Sequence, residues 1–98
     1  MDKSTVLARL REHEPELKAA GIIRLSLFGS VARGEASAES DVDLMAEFDP
    51  AKQFSLLEMV GLENRLTDIL GARVELTPAR ALKGRIRERV TREAVLAF

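Results

Sequence analysis

The sequence predicts an α/β (α+β) fold, a small mixed sheet of about three strands covered by about four helices. Three observations carry this reading. Apolar runs of strand length alternate with helix-period segments in the order α-β-α-β-α-β-α. The boundaries between them carry turn or capping residues. The 98 residues give room for a single domain, 1–98, with no repeat, low-complexity tract or linker.

Ser4 or Thr5 can cap the first helix, whose apolar stripe is Val6, Leu7, Leu10 and Leu17. Pro15 removes a helical hydrogen bond, so a kink or restart is expected there. Gly21 ends that segment, and Ile22 to Phe28 reads as a strand. Val31 to Gly34 should form a short helical turn, and Glu35 to Ser40 a polar loop. Asp41 to Phe48 is the second strand, after which Asp49-Pro50 turns the chain away. Ser55-x-x-Glu58 is a capping box ahead of Leu56, Val60, Leu66 and Leu70, and Gly71 stands where a C-cap glycine belongs. Arg73 to Thr77 reads as a third strand. Pro78 then opens a last helix in which Leu82, Ile86 and Val90 recur at helical spacing.

Composition narrows the function. Hydrophobic content of 46% and charged content of 32% fit a globular protein. A net charge of -1 gives no overall attraction to nucleic acid or an anionic membrane. The absence of cysteine excludes disulfides and thiolate metal sites. Met1-Asp2-Lys3-Ser4 begins no signal peptide and no apolar run reaches membrane-spanning length, so a cytoplasmic location is expected. Arg80, Lys83, Arg85, Arg87, Arg89 and Arg92 interleave with Glu88 and Glu93 and read as a solvated helix face. With no Tyr or Trp, stacking surfaces for single strands are scarce, and nucleic acid is discounted as a direct ligand. His13 reads as solvent-facing, and Phe28 and Phe48 as core.

The chemistry is concentrated in Leu27-Phe28-Gly29-Ser30-Val31-Ala32-Arg33-Gly34 and the following Asp41-Val42-Asp43-Leu44. Side chains at i and i+2 of a strand share a face, so Asp41 and Asp43 point one way and Val42 and Leu44 the other. Paired carboxylates suit divalent ions, and a glycine turn with free N–H groups suits phosphate. Together they suggest a nucleoside triphosphate site.

The pattern Gly29-Ser30, ten residues, Asp41-x-Asp43 resembles the signature of the polymerase-β-like nucleotidyltransferase superfamily. The fuller string FGSVARGEASAESDVDL is similar to the minimal nucleotidyltransferases (MNT), small proteins often paired with a HEPN-domain protein. The resemblance implies a nucleotidyltransferase fold with Gly29 and Ser30 on the phosphates of ATP. Asp41 and Asp43 would hold two magnesium ions. The third carboxylate of the family falls at Glu75, where an aspartate is usual; Asp68, in the predicted third helix, is the other conceivable acid. Arg33 resembles the motif arginine, facing phosphate or pairing with Glu35 or Glu39.

The family further implies an antitoxin that transfers AMP from Mg-ATP to a tyrosine of a partner HEPN toxin. Larger nucleotidyltransferases carry a domain that grips the acceptor, for which these 98 residues leave no room. The acceptor hydroxyl is therefore expected on a partner macromolecule, or on a small molecule held by a homo- or hetero-oligomer. The alternative is a nucleotidyltransferase-fold module that neutralises its partner by binding alone.

Overall fold

The computed structural model describes residues 1–37 and 39–98. Of the loop expected over Glu35 to Ser40, Ala38 lies outside the described residues. Helix α1 (Lys3–Glu12) is capped by Asp2, whose Oδ1 accepts the Thr5 N–H at 2.8 Å. Ser4 and Thr5 lie one and two residues inside the first turn. The cap therefore falls to the acid just ahead of it, which also places negative charge at the helix N-terminus. The chain breaks at His13 and restarts as α2 (Glu14–Ala19), with Pro15 in its first turn where no N–H is needed.

Strand β1 (Ile22–Phe28) runs into the single-turn helix α3 (Gly29–Arg33), and β2 (Val42–Phe48) returns antiparallel to it. After an Asp49 side-chain turn, α4 (Leu56–Leu70) crosses over to β3 (Val74–Pro78), which pairs parallel with β2. A 3-10 turn (Ala79–Ala81), α5 (Gly84–Glu93) and β4 (Val95–Leu96) complete the described elements. The four-stranded sheet has the order β3-β2-β1-β4. The mixed sheet is as expected, with one strand and one helix more than the sequence suggests.

One face of the sheet carries the core. Leu25 and Leu27 of β1, Val42, Leu44 and Ala46 of β2, and Val74 and Leu76 of β3 alternate inward. Val6 and Leu10 of α1, Leu17 of α2, and Leu66 and Leu70 of α4 cover them. Burying a leucine side chain contributes about 1.5–3 kcal/mol, so this layer dominates stability. On the opposite face Ser26 and Met45 meet Arg87 and Thr91 of α5 across a cavity of about 290 Å³.

Three further expectations need correction. Pro78 ends β3, opposite Ala46, and opens no helix; α5 begins only at Gly84. Proline lacks the N–H of a ladder but is tolerated on an edge strand, which β3 is. In α5 the apolar spacing does not mark a core face, since Ile86 is 57% exposed and only Val90 is buried. In α4, Leu56 and Val60 are exposed and the buried residues are Leu62, Leu66, Ile69 and Leu70, because a six-residue step sets Leu56 and Val60 about 120° round the helix from Leu62 and Leu66.

Side chains engage part of the outward backbone at both sheet edges. On β3 the Val74 N–H donates to Thr67 Oγ1 at 3.3 Å and the Leu76 N–H to Glu63 Oε2 at 3.0 Å. Pro78, next on that side, has no N–H. Beyond β4, Arg11 donates to the Ala97 carbonyl at 2.8 Å and the Leu96 carbonyl at 3.1 Å. Among the described residues, no helix is long and apolar enough to cross a membrane.

Candidate functional site

The candidate site forms where β1 ends, β2 begins and β3 runs alongside. Asp43 is the second residue of β2 and stands in register with Glu75 on β3 and Phe28 on β1. Val42, Leu44, Val74 and Leu76 are buried on the far side, which fixes Asp43 and Glu75 on the open face. Asp41 lies just ahead of β2 and not in it. Its Oδ1 is 3.9 Å from Nε of the exposed Arg73, and its charge still reaches Asp43.

Asp43 is half-buried, and that burial is the main influence pushing its pKa above the ordinary carboxylate value. The charges of Glu75 and Asp41 push the same way, as does a hydrogen bond shared with Glu75; Arg33 pulls modestly against them. A carboxyl that resists ionisation beside two other acids is a place where a divalent cation relieves repulsion. As the side chains stand, no three acids or histidines among the described residues close around one point. Asp43 and Glu75 are the pair brought together, and Asp41 would complete the set by turning from Arg73. Hard oxygen donors and surplus negative charge fit magnesium in chemical type.

The Gly29-Ser30 turn packs directly on this pair. Gly29 has φ +76°, a conformation that side chains rarely adopt, and a Cβ built there would overlap the Asp43 carboxylate. Glycine is therefore required twice, for the left-handed backbone and for the close approach. Gly29 opens α3 against Asp43, and Ser30 follows it in the first helical turn.

Arg33, the last residue of α3, pairs with Glu35 at 2.8 Å, as one expectation had it, but also with Glu93 of α5 at 3.1 Å. The second Glu93 oxygen accepts the Gly29 N–H at 3.0 Å. Burial alone would raise the Glu93 pKa, but the Gly29 N–H and the Arg33 guanidinium outweigh it and hold the carboxyl below its usual value. Sequence reasoning places Glu93 among surface charges. It stands 64 residues from Gly29, and no local pattern signals that contact. Asp68 is exposed on α4 beside Arg65, apart from the carboxylate pair.

Comparison with known proteins agrees with this geometry. Residues 6–97 match the model of the nucleotidyltransferase domain family. The protein adenylyltransferase MntA of Thermococcus cleftensis is 40% identical over 87 residues, covering 88% of this chain and 86% of the relative. A solved structure described as a minimal nucleotidyltransferase superposes with a TM-score of 0.78 at 44% identity, covering 97% of this chain and 95% of the other. A solved complex of a tri-AMPylated Shewanella oneidensis HEPN toxin with an MNT antitoxin gives a TM-score of 0.62 at 17% identity, covering 91% of this chain and 70% of the other, which is a likeness of fold. With a glycine-serine turn seated on a carboxylate pair and relatives along nearly its whole length, this chain belongs to the nucleotidyltransferase domain family, as one of its minimal members.

Proposed function

We propose that this protein transfers AMP from Mg-ATP to a hydroxyl of a partner protein, a tyrosine of a HEPN-domain toxin, and thereby acts as an antitoxin. The observation that carries the reading is the contact of Gly29 with Asp43, which sets the start of α3 against the carboxylate that stands in register with Glu75. The relative named as a protein adenylyltransferase and the neighbouring complex with an AMPylated HEPN toxin support the same reaction and partner.

In this reading, the Ser30 N–H and hydroxyl hold the triphosphate while the Gly29 N–H stays on Glu93, and Arg33 offsets the phosphate charge. Asp41, Asp43 and Glu75 would hold magnesium, which when bound neutralises the triphosphate and makes the acceptor hydroxyl more acidic. The acceptor oxygen bonds to the α-phosphorus while the bond from that phosphorus to the bridging oxygen breaks, and pyrophosphate leaves. Glu75, alongside Asp43, takes the hydroxyl proton. Such reactions demand mainly positioning and charge neutralisation, so a short motif on a small sheet suffices.

A second reading is a module that silences its partner by binding without turnover, favoured by Asp41 facing Arg73 and by glutamate as the third acid. The experiment is label transfer from ATP marked on the α-phosphate, with the co-encoded partner present. Asp41→Ala and Asp43→Ala are each expected to lower transfer by about 100-fold or more. Labelling unchanged by either substitution would refute the assigned chemistry. A partner silenced without label, equally well by the substituted chains, would establish the binding module.

A further inference from the structure

We propose that Glu93 is a positioning residue for the phosphate-binding turn and, through Gly29, for the Asp43 carboxylate. The inference rests on the nucleotidyl-transfer reading above. Its starting point is that one carboxylate grips α3 at both ends. Oε1 accepts the N–H of Gly29, the first residue of α3, at 3.0 Å, and Oε2 lies 3.1 Å from Nη1 of Arg33, the last. Phe28, at the N-cap position, offers no side-chain acceptor, so the capping role passes to a residue 64 positions away.

The two carboxylates on Arg33 are not equivalent. The Glu35 side chain is 64% exposed and the Glu93 side chain 19%, so the Glu93 contact is the less solvated and the more restraining. Glu93 is itself anchored. Directly after it the Ala94 N–H closes α5 onto the Val90 carbonyl at 2.8 Å. The chain then enters β4, which pairs Val95 with Leu27 and Leu96 with Ser26. β1, which delivers Gly29, is thus the same strand that holds the residues following Glu93, and the loop of contacts is closed.

On its other side Gly29 presses against Asp43 so closely that no side chain fits between them. A shift of Gly29 away from Glu93 is therefore transmitted to the carboxylate, and an error of about 1 Å costs roughly 100-fold in rate. Were Glu93 an ordinary ion pair, its removal would lower stability and leave the kinetics of the folded protein unchanged.

The test compares wild type, Glu93→Ala, Glu93→Gln and a Glu35→Ala control in AMP transfer to the partner. In parallel, amide hydrogen exchange at Gly29 is followed in the nucleotide-free chain. Glu93→Ala is expected to lower kcat about 10- to 100-fold and raise KM for ATP several-fold. Glu93→Gln keeps an oxygen for the Gly29 N–H and should return kcat to within about threefold of wild type. Glu35→Ala should behave as wild type. Exchange at Gly29 should quicken about tenfold or more in the alanine variant and not in the glutamine variant.

A Glu93→Ala protein with wild-type kcat and KM below its melting temperature would overturn the proposal, and so would a glutamine variant as impaired as the alanine. If alanine unfolds the chain, Glu93→Asp, shorter by one methylene at the same charge, takes its place, and undiminished kcat there is equally fatal. Absence of transfer by wild type would overturn the nucleotidyl-transfer reading and the catalytic positioning with it. Gly29 exchange would then still report, independently of turnover, whether Glu93 holds the turn.

Discussion

Asp43 stands under two opposed demands, since the fold half-buries it beside acids while the proposed chemistry needs it charged. Its native pKa is raised, first by burial and then by Glu75 and Asp41. The folded chain therefore keeps this proton to a higher pH than the unfolded chain, and stability falls as pH rises through that interval. Without metal, Asp43→Asn is expected to stabilise the protein at neutral pH by about 0.2–1 kcal/mol, the scale of a like-charge pair facing across strands. The gain should shrink as pH falls and vanish about one unit below the ordinary aspartate pKa of ~3.9, where the carboxyl is neutral in both states. Magnesium should raise the melting temperature of wild type and have little effect on the variant. A variant that melts below wild type at neutral pH without metal would contradict the shared-face geometry. Asp43 on its strand, Asp41 just ahead of it and the glycine-serine turn are legible in the sequence because their spacing is local. Glu93 is not, because its partners arrive only with the fold.

At the level of elements, legibility followed the strength of the local signal. The reciprocal cap of α4 is present as written, with Ser55 and Glu58 each accepting the other's backbone N–H, and Gly71 ends the helix at φ 66°. Ser55→Ala is expected to cost about 1 kcal/mol, seen as a loss of ~4–8 °C in Tm; an unchanged Tm would mean the cap is redundant. The stripe expected on that same helix is not one face, because Leu56 and Val60 stand six residues before Leu62 and Leu66 and are turned away from the core that Met59 meets. A four-residue step between two neighbours neither joins a whole set into one face nor says how far the core extends. α5 shows the same effect more strongly, with arginines around an almost wholly exposed helix. β4 escaped notice because two residues carry no alternation to detect; its pairing with β1 is created by tertiary contact alone.

On the scale of the whole molecule, the connections legible in the sequence determine most of the topology. A long helix between β2 and β3 allows their parallel pairing, which places Glu75 opposite Asp43. What the sequence hides is how the sheet is finished. Thr67 and Glu63 of α4 take the outward N–H groups of β3, Pro78 offers none, and Arg11 of α1 takes the carbonyls beyond β4. An open sheet margin is a template on which another chain can extend the ladder. Here α4 engages the outward N–H groups of β3 and α1 the carbonyls beyond β4, so an added strand would have to displace these contacts to pair there. The same devices guard against self-association through the margin that carries Glu75. Glu63→Leu combined with Thr67→Val strips both acceptors from β3, at about 1 kcal/mol for each lost bond. The doubly substituted chain is expected to associate with rising concentration in light scattering beyond wild type. If it does not, shape alone protects that margin.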